Sequence, residues 1–108
     1  MELSRRSVKT VEQHFKCLDM LHIATAGNRE QQCECGILLE IWPSGGVLQL
    51  DTPLEESEKF FINLHGEQVE AEVQNCEEDM YGYNVRFAVS DPWFPESYQP
   101  SYLSSENL

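Results

Sequence analysis

The sequence predicts an all-β chain of about six short antiparallel strands, closed into a barrel or packed as a sandwich. Three observations carry this. From residue 33 onward, apolar side chains recur at every second position in short runs. Those runs are separated by turn chemistry such as Pro43-Ser44-Gly45-Gly46 and His65-Gly66. Spacing of three and four residues is confined to the first eighteen positions. With 108 residues, 41% of them hydrophobic, the chain supplies one modest core and not two.

Taken in order, Val8, Val11, Phe15 and Leu18 carry the helical spacing, and Ser7 is placed to cap it, so a short helix over about Ser7 to Lys16 is expected. Its narrow apolar face fits either a helix laid over one end of a barrel or one that pairs with a second subunit. From Cys17 to Ala24 both alternating sets are apolar, and helix and strand compete. Ala26-Gly27-Asn28 then turns the chain, and Cys33, Cys35, Ile37, Leu39 and Ile41 alternate with Gln32, Glu34 and Glu40, completing a hairpin. Pro43-Ser44-Gly45-Gly46 breaks that strand, the two glycines allowing backbone angles closed to other residues. Val47 to Asp51 follows with Leu48 and Leu50 inward. Phe60, Ile62 and Leu64 make the next strand, and Val69, Ala71 and Val73 the one after, with Glu70 and Glu72 toward water. Glu77 to Asp79 reads as a polar turn before Tyr83, Val85, Phe87 and Val89. Beyond residue 90, Pro92, Pro95 and Pro100 deny the tail a long helix, while Trp93, Phe94, Tyr98 and Tyr102 supply surface to dock it on the body. The expected organisation is a helical segment over 1–16, a barrel over 17–90 and a Pro/aromatic tail over 91–108.

The formal charge of −12 is unevenly spread. Residues 1–29 hold Arg5, Arg6, Lys9, Lys16 and Arg29 against three acids, a balance of +2, whereas the remainder holds only Lys59 and Arg86 against sixteen acids, a balance of −14. A surface of that sign repels phosphate backbones, which excludes DNA or RNA as partners of the main body and directs any anionic ligand to the N-terminal segment. No apolar run reaches the roughly 20 residues of a membrane-spanning helix, and the first sixteen residues lack the apolar stretch of a signal peptide, so a cytoplasmic setting is expected.

Cys17, Cys33, Cys35 and Cys76 are therefore read as reduced. Cys33 and Cys35 fall on one face of a strand, roughly 7 Å apart at a rise of about 3.3 Å per residue, and read as small core residues. His22 from a neighbouring strand would add a third metal ligand, but Cys-x-Cys within a strand lacks the turn that converges two thiolates on zinc, so no metal is assigned. Ser44, His65 and Asp51 name a triad only on paper. No Gly-x-Ser-x-Gly elbow occurs, and a serine between Pro and Gly is first a turn residue. Glu55, Glu56, Glu58 and the run Glu77-Glu78-Asp79 lack the alternating spacing of a calcium loop. His14 and His65 are read as surface or turn residues. The chain is expected not to be an enzyme.

One stretch of the chain carries a resemblance. The run Gly36-Ile-Leu-Leu-Glu40-Ile-Trp42-Pro-Ser-Gly45-Gly46-Val-Leu-Gln-Leu50, then Pro53-Leu54, Phe61-Ile-Asn-Leu64, Val69-Glu-Ala-Glu-Val73 and Gly82-Tyr-Asn-Val-Arg-Phe87, resembles the PilZ family in order, spacing and apolar pattern. The resemblance covers about residues 16–90 and implies a six-stranded antiparallel barrel that receives cyclic di-GMP and passes the signal to a partner. In competent members an N-terminal Arg-x-x-x-Arg grips phosphate and stacks on guanine, and an Asp-x-Ser-x-x-Gly turn reads the other guanine edge. Alignment on Gly45 puts Glu40 where the family has Asp and Trp42 where it has Ser, while Lys9-x-x-x-Gln13 stands in for the two arginines and Arg5 and Arg6 fall too early. Each hydrogen bond lost to a charged group costs on the order of 1.5–3 kcal/mol. The barrel is thus expected to be kept and the standard nucleotide grip lost. The sequence then reads as a PilZ-like adaptor working through a protein partner, with no cofactor. The alternative is a non-standard cyclic di-GMP receptor using Arg5, Arg6 and Lys9. Trp42 has two expected roles, a cap on the barrel end or an exposed anchor in a protein interface.

Overall fold

The computed structural model describes residues 12–25, 32–101 and 103–104. Seven strands run along it: β1 (Phe15–Thr25), β2 (Gln32–Trp42), β3 (Gly45–Leu50), β4 (Lys59–Leu64), β5 (Glu67–Asp79), β6 (Gly82–Val89) and the two-residue β7 (Leu103–Ser104). They form one antiparallel sheet in the order β2-β3-β6-β5-β4-β1-β7, and β1 pairs with β2 as well, so the first six close into a barrel. Closure gives each of those strands a neighbour on both sides, which removes the exposed edges of an open sheet. Among the described residues there is no helix. The expected helix lies outside them over residues 7–11, and Phe15 and Lys16 already belong to β1.

The core is the inward half of the period-two pattern. Ile23, Leu38, Ile41, Leu48, Phe60, Ile62, Val85 and Phe87 are fully enclosed, and each such side chain contributes about 1.5–3 kcal/mol through removal from water. Trp93 and Phe94, from beyond β6, complete the same cluster. The indole of Trp93 packs edge-on against Phe87 at 5.8 Å and donates its Nε1 hydrogen to the carbonyls of Trp42 and Gly45, both at 3.1 Å. Tyr98 stacks on Trp93 at 5.5 Å, and Phe94 meets Phe15 at 5.4 Å. Backbone bonds from Trp93 to Pro43 and from Tyr98 to Trp93 hold this segment against the barrel end.

Three expectations along the strands need correction. The face assigned to β2 is inverted over its first half: Gly36 and Leu38 point inward, while Cys35 is exposed and Ile37 lies outside. A bulge between Leu38 and Glu40 on the β3 side restores Ile41 to the core, so a single alternation from Cys33 to Ile41 does not exist. Gly45 and Gly46 are not the turn, which is Pro43-Ser44; they lie within β3. Gly45 is needed for close approach, because a Cβ there would stand 2.1 Å from the Phe87 carbonyl oxygen of β6. Finally, Glu77 to Asp79 is not a turn but the end of β5, which pairs with β6 as far as Asp79 opposite Gly82 and turns only at Met80-Tyr81.

Candidate functional site

Of the residues singled out in the sequence, Arg5, Arg6 and Lys9 lie outside the described residues, as does the side chain of Cys33. The structure gathers Glu40, Trp42 and Gly45 at the β2–β3 turn and brings the segment before β1 across it. The register explains how. Phe15 pairs with Ile41 and Lys16 with Glu40, so His14, one step earlier, falls beside Trp42. Its imidazole stacks on the indole at 3.9 Å between centroids and 11° between planes, and its Nδ1 lies 3.7 Å from a Glu40 carboxylate oxygen. Gln13 is exposed beside it. One residue further out, Glu12 accepts a hydrogen bond from the Ser44 hydroxyl at 2.5 Å.

Arg86 reaches the same ring from β6. Its guanidinium carbon lies 4.7 Å from the Trp42 centroid, a contact that stabilises by about 0.5–1 kcal/mol where water has access. Trp42 is consequently only 5% exposed. It is nevertheless not part of the contiguous core, which includes Ile41 and Trp93 but not Trp42. Enclosed in this way, Trp42 is not an exposed interface anchor. Trp93 belongs to the contiguous core, and Trp42 is a separate indole at the end of β2, held between side chains of the pre-β1 segment and β6.

This arrangement has a definite electrostatic character. The β2–β3 turn presents an enclosed indole flanked by two carboxylates, Glu12 and Glu40, with Arg86 and His14 packed on the ring. Glu12 was not singled out from the sequence, His14 was read only as a surface or turn residue and Arg86 only as one of two bases in the acidic body, whereas Trp93 was read as an aromatic that docks the tail, and it does. The register of β1 on β2 and of β3 on β6 brings His14 and Arg86 to Trp42, and the coincidence of an indole and Arg86, a rare base in an acidic body, was a signal within reach.

The other motifs resolve into structural roles. Ser44 and Asp51 flank β3 at opposite ends, separated by about 23 Å at 3.3 Å per residue, and His65 lies in the β4–β5 turn, so the triad is not assembled. Glu58 accepts a bond from the backbone of Glu55 at 2.9 Å. Cys35 does come within 3.4 Å of His22 Nδ1 across the β1–β2 ladder, but no third ligand joins them, and no group of three metal-binding side chains occurs among the described residues. Cys17, Cys35 and Cys76 are free thiols.

A second concavity opens where β1 and β4 part below His22. It is an open hollow of about 710 Å³ between Asp19 to His22, Asn63 to His65 and the tail residues Tyr98, Gln99 and Ser101. Its central carboxylate is already engaged: Asp19 accepts hydrogen bonds from the Tyr98 hydroxyl and from the Ser101 backbone N–H.

No known family model, curated protein or solved structure matches this chain. No helix among the described residues is long and apolar enough to cross a membrane.

Proposed function

We propose that the chain is a PilZ-like regulatory domain that has lost the standard nucleotide grip and acts as a non-catalytic adaptor through contacts with a protein partner, in the bacterial cytoplasm that the family resemblance implies. One observation carries the reading: the position where the family motif has serine is occupied by Trp42, enclosed by His14 and Arg86 and bordered by Glu12 and Glu40. A six-stranded barrel whose β2–β3 turn is filled by Trp42 and bordered by Glu12 and Glu40 supports this reading, since two carboxylates at that turn oppose a doubly charged nucleotide.

Calorimetric titration of cyclic di-GMP into the full chain at low and physiological salt tests this, with an Arg5→Ala, Arg6→Ala variant alongside. The expected result is no saturable heat up to hundreds of micromolar. Saturation at micromolar ligand that disappears in the variant would replace the adaptor reading by that of a receptor gripping phosphate through the basic N-terminal segment.

A further inference from the structure

The tip of the β5–β6 hairpin carries two residues that its surroundings do not explain. A two-residue turn in water favours Asn, Asp and Gly, yet this one presents Met80 and Tyr81, 81% and 73% exposed, the two most exposed large apolar side chains among the described residues. On one side they extend past their neighbour, because β4 accompanies β5 only as far as Glu72, while on the other β3 runs beside β6 as far as Tyr83.

The tip is also held in shape. Asp79 accepts the Tyr81 backbone N–H through one carboxylate oxygen and the Asn84 side-chain amide through the other, each at 2.8 Å. Gly82 adopts φ +136°, and a Cβ there would stand 2.5 Å from the Leu50 carbonyl oxygen, so the turn is braced against the end of β3. A braced turn has already lost the freedom that docking a mobile loop would cost. Tyr is enriched among residues that dominate binding energy, and Met adapts its shape to an irregular apolar surface.

The charge around this apolar pair fixes the chemistry of what it fits. Glu77, Glu78 and Asp79 lead into the turn with no Lys or Arg nearby in β5, and Asp51 lies next to Gly82. We propose that Met80 and Tyr81 form the contact point for a partner protein whose matching surface is an apolar patch flanked by Lys and Arg. This deepens the adaptor reading and rests on it. The same acidic border repels a second copy of this chain and any nucleic acid.

The test uses a displayed library of disulfide-cyclised random peptides selected against the full chain, followed by affinity measurements of the enriched peptides. The compared proteins are the native chain, a Met80→Ser, Tyr81→Ser variant and a Met20→Ser, Ile37→Ser variant on the outer face of β1 and β2. Equal thermal midpoints establish that all three are folded. The expected peptides place Lys or Arg beside aliphatic or aromatic residues, lose at least tenfold in affinity for the tip variant, keep their affinity for the β1–β2 variant, and weaken as salt rises. Affinity that survives the tip change and falls in the β1–β2 variant would overturn the assignment of the tip and leave the adaptor reading standing. Failure to enrich any peptide on any of the three proteins would remove both.

Discussion

Asp19 shows what a single residue contributes here. It sits on β1 with one carboxylate oxygen accepting the Tyr98 hydroxyl from 79 positions away, and the Ser101 N–H adds a second donor. Two neighbours respond to it. Burial first, then the charges of Asp19 and Glu40, pushes the Cys17 thiol up to about 12. Burial, then the bond to Asp19 and its charge, raises the Tyr98 phenol well above its ordinary value. In the unfolded chain these groups ionise near about 8.5 and 10. Both are acids whose folded form holds its proton longer, so their contribution to stability is complete below about pH 8.5 and declines as pH climbs toward the folded values. The thermal midpoint is therefore expected to hold between neutrality and about pH 8.5 and to fall above it. In a Tyr98→Phe variant the decline should be shallower. A native midpoint that stays level to strongly alkaline pH would contradict this. The sequence disclosed an aromatic tail ready to dock but not the aspartate that receives it, since nothing local to either residue encodes a contact over that span.

At the scale of strands, the alternating pattern was legible where the ladder is regular and misleading where it is not. The faces of β3, β4 and β6 follow directly from their apolar positions, with Leu48 and Leu50, Phe60 and Ile62, and Val85 and Phe87 all inward. β2 does not, because an extra residue near Leu39 reverses the phase, and a period of two has no means of announcing an insertion. The candidate site suffered likewise: Glu40, Trp42 and Gly45 stand close enough in the chain to be singled out, whereas His14, just before β1, and Arg86, on β6, reach Trp42 from distant positions. Glycine supplies a direct test of strand packing. Gly45→Ala forces a methyl group onto a backbone carbonyl that cannot rotate away, and should cost roughly 3 kcal/mol or more in urea unfolding. Gly66→Ala, in an open turn at φ +83°, should cost only about 1–2 kcal/mol. Equal costs would show that β3 and β6 do not approach as closely as described.

For the whole molecule, charge outweighs any individual ion pair. The formal charge is −12, and the described Lys–carboxylate pair that opposes it, Lys59 with Glu70 at 3.6 Å, is solvent-accessible and correspondingly weak. Salt screens the repulsion more than it removes attraction, so the thermal midpoint should rise from low ionic strength to about 0.15 M, where the screening length is about 8 Å. A midpoint that falls with added sodium chloride would mean that unrecognised ion pairs dominate. The acidity was plain in the composition. The closed six-stranded barrel was expected as well, from the number and spacing of the strands and from the resemblance, but the pairing of β1 with both β2 and β4 that closes it leaves no trace in any one segment.

The short ladder between β7 and β1 also governs how the domain answers to force. Lys16 faces Ser104 and Cys17 faces Leu103 in antiparallel register, so the chain enters and departs at the same end of that ladder. Tension drawn between those two ends loads its hydrogen bonds one after another, as in opening a zipper, rather than all together in shear. Were this domain strung between a tether and a load, its tail would peel away at low force while the closed barrel behind it remained shut.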